Sequence, residues 1–159
     1  ILETPVQLAQ FYCGLANHGI VYRPHLVKSI RYPDGKTVPV TPEVSFRLPF
    51  KESTLASLMD GLRLVVEGGR GTARRLKNQY YSIGGKTGTS QNPHGNDHSW
   101  FVGVAPLENP EIVCCAIVEN AGHGSEVAAP VVGQIIRKYM EKKLGLDSIA
   151  QASAEGMGQ

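Results

Sequence analysis

Three apolar, β-prone runs follow one another over a short stretch of chain: Tyr80 to Gln91, Ser99 to Ala105 and Ile112 to Glu119. Only Asn92 to Asp97 and Pro106 to Glu111 lie between them. A parallel pairing needs a crossover of a dozen or more residues. Connections this short therefore predict that the runs pair as an antiparallel meander. The rest of the fold has to be built around that sheet.

Helical patterns flank the meander. Thr4-Pro5-Val6-Gln7 reads as a capping box with Pro in the first turn. Leu8, Phe11, Tyr12 and Leu15 then recur at helical spacing, and Asn17-His18-Gly19 supplies a left-handed stop. Leu26 to Tyr32 alternates, Pro33-Asp34-Gly35 turns and Lys36 to Val40 returns, which predicts a hairpin. The stretch from Thr41 to Phe50 reads as loop. A second helix, capped by Ser53 or Thr54, carries the apolar stripe Leu55, Leu58, Met59, Leu62, Val65 and Val66. It runs into the glycine-rich loop Gly68 to Gly71, and a short helical turn is expected within Thr72 to Lys77. After Gly122-His123-Gly124, Ser125 is expected to cap a last helix. Its inward face would be Val127, Val131, Val132, Ile135, Ile136 and Tyr139, and cations gather at its C-terminal end before Gly145. Helices, a meander and a closing helix make an α+β architecture: an antiparallel sheet with flanking helices.

Composition narrows the function classes. Apolar residues make up 42% and charged residues 19%, enough for a core in one domain. Lys plus Arg number 16 against 14 Asp plus Glu, and no basic run forms a nucleic-acid face. No stretch reaches the roughly 18 apolar residues of a membrane span. The chain opens Ile1-Leu2-Glu3 without the pattern of a signal peptide and without Met, so it reads as a piece of something longer. Cys13, Cys114 and Cys115 lack the spacing of a disulfide framework or zinc site and read as buried free thiols, with the adjacent pair on opposite strand faces.

The chemistry concentrates in Gly84-Gly85-Lys86-Thr87-Gly88-Thr89-Ser90. A phosphate loop would need glycine where Tyr80 stands, and would turn from strand into helix. Lys86-Thr87-Gly88 on a strand edge fits acyl-transfer sites built around a serine nucleophile. There Lys86 supplies positive charge for a substrate carboxylate. Thr87 and Thr89 offer hydroxyl donors, and Gly88 admits the acyl group close to the backbone. The Thr89 backbone N–H can serve an oxyanion hole, where one donor is typically worth about 3–4 kcal/mol in the transition state. Lys86 and Thr89 are thus the candidate catalytic groups. Lys86, Thr87, Gly88 and Thr89 are the candidate substrate-binding set.

Further stretches stand in a fixed order: Thr4 to Gln10, Leu15 to Gly19, Tyr22 to Val27, Val65-Val66 with Gly71-Thr72-Ala73, Gly85 to Gln91, and Asp97 to Pro106. Together they resemble the C-terminal half of the transpeptidase domain of class B penicillin-binding proteins, over about residues 1–144. Asp97-His98-Ser99-Trp100-Phe101 is similar to the elongation branch, penicillin-binding protein 2. The resemblance implies a β-lactamase/transpeptidase-like fold with a five-stranded sheet, of which two strands and most of a helical subdomain lie upstream. It implies a serine D,D-transpeptidase that cross-links peptidoglycan stem peptides and is inhibited by β-lactams, with a lipid-II polymerase as partner. It places the intact protein at the inner membrane, with this domain on the extracytoplasmic side. Residues 145–159, small and aperiodic, read as a disordered tail.

The family's nucleophile and base sit in Ser-x-x-Lys, and no serine of this chain has a lysine three residues on. Ser90-Gln91-Asn92 spells the family's Ser-x-Asn but lies in the wrong place, directly after the Lys-Thr-Gly strand. The reading is therefore a carboxylate-binding wall with half an oxyanion hole, inactive alone because covalent catalysis lacks its nucleophile. A β-lactamase-like hydrolase and a non-catalytic penicillin-sensing module are the alternatives on the same fold. No cofactor is implied. His94 and His98 have helical metal spacing, but Pro93 and Gly95 break any helix there, so no metal site is expected. Trp100 reads as core, and Arg70, Arg74 and Arg75 as solvated surface.

Overall fold

The computed structural model describes residues 3–146. In chain order the elements are α1 (Pro5–Ala16), β1 (Ile20–Tyr22), β2 (Ser29–Arg31), β3 (Thr37–Pro39), β4 (Val44–Arg47) and α2 (Glu52–Glu67). A short 3-10 turn follows at Arg74–Leu76, and then β5 (Gly84–Ser90), β6 (His98–Ala105), β7 (Ile112–Val118) and α3 (Ala128–Leu144). The expected meander is present. β5 pairs antiparallel with β6, and β6 with β7. The first run enters the sheet only at Gly84, because Tyr80 and Tyr81 are turned back on Asn78, whose side-chain oxygen accepts both their backbone N–H groups.

The sheet is covered on both faces. On one side α3 lays Ala128, Ala129, Val132, Ile136 and Met140 over Phe101 and Ala105, with Val66 and Ile83 completing the cluster. On the other, Leu62, Val104 and Leu107 meet Tyr12, Ala16, Met59 and Val113 beneath α1 and α2. Val132 and Ile136 are wholly buried, and such a side chain contributes about 1.5–3 kcal/mol on leaving water. β7 packs against α1 and α3, and its outer edge has no strand partner among the described residues.

Several local expectations hold. Thr4 and Gln7 form the reciprocal capping box at the start of α1. The hairpin β2–β3 forms around a turn in which Gly35 has φ +86°. It is shorter than its pattern, and Ile30, Tyr32 and Val38 stay exposed.

Others need correction. Thr41 to Phe50 is not all loop: β4 pairs with β1, in a stretch to which the sequence pattern assigned no element. α2 begins two or three residues earlier than Ser53 or Thr54 would set it. Lys51 is its N-cap, without a side-chain hydrogen bond. Likewise Ser125 does not cap α3, which starts at Ala128, and Val131, Ile135 and Tyr139 face outward while Ala128, Ala129 and Met140 face in. Val132 and Ile136 are buried as expected. The thiols are less buried than expected: Cys13 is exposed, and Cys114 and Cys115 are half-buried. The expected tail lies outside the described residues from Asp147 onward.

The start of α3 is held instead by Ser99, the one buried polar side chain among the described residues. From β6 its hydroxyl accepts the Ala128 N–H at 3.0 Å and donates to the His123 carbonyl at 3.0 Å. Ser99→Ala leaves both backbone groups without that partner. A loss of about 1–3 kcal/mol is expected, read as a lower urea midpoint with unchanged slope; an unchanged midpoint would show that the hydroxyl does not anchor the helix.

A second tie joins α2 to the β6–β7 connection. Ser82 donates to the Glu108 carboxylate and accepts the Leu107 N–H, and Arg63 donates to Glu108 at 3.0 Å. The Ser82 hydroxyl, then a backbone N–H and after it Arg63, lower the Glu108 pKa below its ordinary 4.5. A carboxyl depressed in the folded state contributes stability above its unfolded pKa and loses it as pH falls through the folded value. Stability should therefore fall as pH drops below about 4.5, and Glu108→Gln should flatten that part of the profile in denaturation series across acid pH. An identical acid limb in the variant would exclude Glu108 as a source.

Candidate functional site

β5 forms the edge of the sheet, and a cleft of about 310 Å³ opens along it. Lys86 to Ser90 make one wall, Trp100 and Val102 of β6 the floor, and Glu3, Leu8 and Tyr12 of the α1 segment the opposite side. The register explains the arrangement. Lys86 lies opposite Val102 and Gly88 opposite Trp100, so these four share a face with α1. Thr87 lies opposite Phe101 and Thr89 opposite Ser99, on the face that α3 covers.

Lys86 is exposed, and its ammonium donates to the Thr87 carbonyl at 2.6 Å. The Thr87 hydroxyl is 3.1 Å from that of Thr72, which stands on the glycine-rich loop after α2. That loop is well tied: Gly71 donates to Gly68, Ala73 to Val65, and the Arg74 guanidinium to the Gly69 carbonyl. Tyr12 is partly buried, and burial, with Cys115 second, raises its phenol above 10.0. It is a neutral hydroxyl at pH 7. Beneath α1, burial and then Cys114 push the Cys115 thiol up to about 11, so it stays protonated there.

The strand is also gripped from the α3 face. A Cβ on Gly124 would lie 2.2 Å from the Trp100 carbonyl oxygen and 2.5 Å from that of Gly88. The turn before α3 thus rests directly on the backbone at the glycine of Lys-Thr-Gly. Gly85 is equally confined, its missing Cβ falling 2.4 Å from the Phe101 ring.

The structure brings Lys86, Thr87, Gly88 and Thr89 to one cleft. Trp100, expected in the core, is half-buried and lines that cleft, its indole nitrogen buried without a partner. His98 is separate from it, its Nδ1 accepting the Asn120 N–H at 3.0 Å. No group of metal-ligating side chains occurs among the described residues. Sequence reasoning gave no role to Thr72, Tyr12 or Gly124. Gly71-Thr72-Ala73 was visible as a motif, but nothing local says that Thr72 reaches across to Thr87.

An antiparallel sheet clasped between helices carries Lys-Thr-Gly-Thr along its open edge. The chain belongs to the penicillin binding protein transpeptidase domain family, whose pattern matches residues 2–137. It is 33% identical to the peptidoglycan D,D-transpeptidase MrdA of Haemophilus influenzae, over 89% of this chain and 24% of that protein. Pseudomonas aeruginosa PBP2 in complex with WCK 5153 is 41% identical with TM-score 0.72, over 86% of this chain and 29% of that one. Penicillin-binding protein A of M. tuberculosis, an imipenem acyl-enzyme complex, is 25% identical with TM-score 0.70, over 84% and 30%. The resemblance to class B proteins of the penicillin-binding protein 2 type, and the α+β transpeptidase-like fold, are borne out. The chain spans about a quarter of the length of the curated relatives it matches.

Gly124 provides a test of how the strand is held. Gly124→Ala should cost about 1–3 kcal/mol by overpacking and shift the amide resonances of Gly88 and Trp100. Gly61 on exposed α2, with nothing within 4 Å of its missing Cβ, is the control: Gly61→Ala should stabilise by about 0.5–1 kcal/mol. Unmoved Gly88 and Trp100 resonances in the first variant would mean the turn does not bear on β5.

Proposed function

We propose that this chain is the carboxylate-binding portion of a peptidoglycan D,D-transpeptidase, and that the serine nucleophile and its lysine base belong to an upstream half of the same domain. The observation that carries the reading is the set Lys86, Thr87, Gly88 and Thr89 along one open strand edge, in a chain of the transpeptidase family.

Lys86 provides the positive charge that draws the terminal carboxylate of a D-Ala peptide, or of a β-lactam, to the cleft. Thr87 and Thr89 hydroxyls donate to that carboxylate. The Thr89 N–H stabilises the oxyanion that forms as the serine attacks. Gly88 keeps the path along the backbone clear. Thr72 is a positioning residue: its hydroxyl lies 3.1 Å from that of Thr87 with either able to donate, and when Thr72 donates, the Thr87 proton is left directed at substrate, a chain in which each hydrogen bond strengthens the next. The isolated chain neither acylates nor hydrolyses, because no serine in it has the lysine partner of Ser-x-x-Lys that would activate it. In the intact protein the substrate is the stem peptide of nascent peptidoglycan, and the domain works at the extracytoplasmic face of the inner membrane beside a lipid-II polymerase. The MrdA relative is named for the same transfer, and the M. tuberculosis relative for an acyl-enzyme with a β-lactam.

Intact-mass spectrometry with a fluorescent penicillin tests the assignment. The chain alone should keep its unmodified mass, whereas the longer protein containing the whole domain should gain one adduct. An adduct on the chain itself would overturn the division of labour, and a whole protein that never labels would overturn the activity. In that longer protein, Thr72→Val should slow acylation by about three- to tenfold, the worth of one hydrogen bond, while Thr72→Ser should retain most of the rate. Equal rates for both variants and the parent would remove Thr72 from the mechanism.

A further inference from the structure

The loop between β5 and β6 leaves the cleft directly, because Ser90 is both the last residue of β5 and part of the cleft wall. Its own hydrogen bonds close it into a turn. The Asn92 backbone N–H donates to the Asp97 carboxylate at 3.3 Å, and the Asn92 side-chain oxygen accepts the His94 N–H at 3.0 Å. Further bonds cross from this region to residues 120–122, which follow β7. The Asn92 side-chain nitrogen donates to the Asn120 side-chain oxygen at 2.7 Å. The Asn120 N–H donates to His98 Nδ1 at 3.0 Å, and the Gly122 N–H to the Asp97 carbonyl at 2.8 Å.

Asn120 is the centre of this clasp. Its φ of +54° is left-handed, a conformation that asparagine tolerates better than most residues. The loop also packs onto it: a Cβ on Gly95 would fall 2.8 Å from the Asn120 side-chain oxygen. Further along the same run, Gly124 rests on the backbone of Gly88. Residues 120–124 therefore hold β5 at two places. Gly124 bears on Gly88, just before Thr89, and Asn120 holds the loop that begins just after Ser90. Thr89 lies between the two holds.

We propose that Asn120, through its bond with Asn92, is a positioning residue for acyl transfer: it fixes the stretch of β5 that carries Thr89. The effect on rate rests on the transpeptidase reading, in which the Thr89 N–H meets the developing oxyanion. A donor already in place needs no reorganisation as that charge appears. With the clasp undone, the end of β5 is held only from Gly88, and the cost falls in the transition state. The acylation step then slows, while the first noncovalent complex, drawn by the charge of Lys86, keeps its affinity. Neither Asn120 nor Asn92 lines the cleft, so both act through the strand.

The test follows acylation by a fluorescent penicillin in the longer protein containing the whole domain. Varying the penicillin concentration separates the noncovalent dissociation constant from the first-order acylation step. Asn120→Gly keeps the left-handed turn and the N–H to His98 but removes the oxygen that receives Asn92. It should slow the acylation step by about three- to tenfold, the contribution of one hydrogen bond, at an unchanged dissociation constant. Asn120→Asp keeps that oxygen and should retain most of the rate. Asn92→Asp keeps the acceptor for His94 but loses the donor, and should match Asn120→Gly. The double variant should be no slower than either, since both changes remove the same bond. In this chain itself, Asn120→Gly should shift the Thr89 amide resonance and Asn120→Asp should leave it in place. A parent protein that never labels would overturn the transpeptidase reading and the rate effect with it, and the Thr89 resonance would still decide whether the clasp reaches β5. With labelling intact, an unchanged acylation step in Asn120→Gly, an equal loss in Asn120→Asp, additive losses in the double variant or an unmoved Thr89 resonance would each overturn the proposal and leave the transpeptidase reading standing.

Discussion

The pairing of β5 with β6 is the interaction on which the rest depends. Every wall of the cleft is either one of these strands or something that rests on them. α1 and α2 close on one face through Val104, Leu107 and their neighbours, and α3 closes on the other through Phe101. The two contacts can coexist because the strands carry almost no bulk where the layers come closest. Gly85 gives its space to the Phe101 ring, and Gly124 sets one backbone directly on another. A side chain at either position would have to be accommodated by moving main chain, which a sheet held on both faces resists. The position of Lys86 to Thr89 is thus fixed by packing, with the exposed side chains contributing little to it.

Ser99 extends the same logic to the start of α3. A buried hydroxyl is costly unless paired, and here it is paired twice, once with the turn at His123 and once with the first N–H of α3. The group that terminates the turn and the group that starts the helix are therefore the same atom. Gly124 in that turn lies over Gly88. α3 buries Ala128, Ala129, Val132, Ile136 and Met140 and leaves Val131 and Ile135 exposed.

Legibility in the sequence follows the range of the interaction. The capping box of α1, the Gly35 turn, the three strand runs and the Gly145 stop depend on neighbours a few residues apart, and all were readable. The β1–β4 pair was missed because it joins residues twenty or more apart through strands of three and four residues, too short for a period to register. Lys-Thr-Gly-Thr was readable as a motif, and its edge position followed from the family resemblance. Thr72, Tyr12 and Gly124 were not: each reaches the strand from another element, and neither composition nor spacing records that approach. Trp100 was misjudged for a related reason. An aromatic residue in an apolar strand reads as core, but opposite Gly88 its ring has no cross-strand side chain above it and forms the floor of an open cleft.

The alternation of the strand then explains why an edge, rather than a central strand, suits the proposed chemistry. Lys86 and Thr87 point to opposite faces, so in the middle of a sheet no single ligand could meet both. At an edge the two faces share one open side. A ligand lying along β5 can take charge from Lys86 on the α1 face, hydroxyls from Thr87 and Thr89 on the α3 face, and backbone donors from the rim between them. In the proposed reading the substrate becomes a further extended segment against the sheet, bound by main-chain geometry and sorted by its carboxylate. The same geometry accounts for Thr72. A hydroxyl on the α3 face needs a partner to hold its rotamer, and the strand itself supplies none; the glycine-rich loop does, because it is tied to α2 and to its own carbonyls before it reaches Thr87.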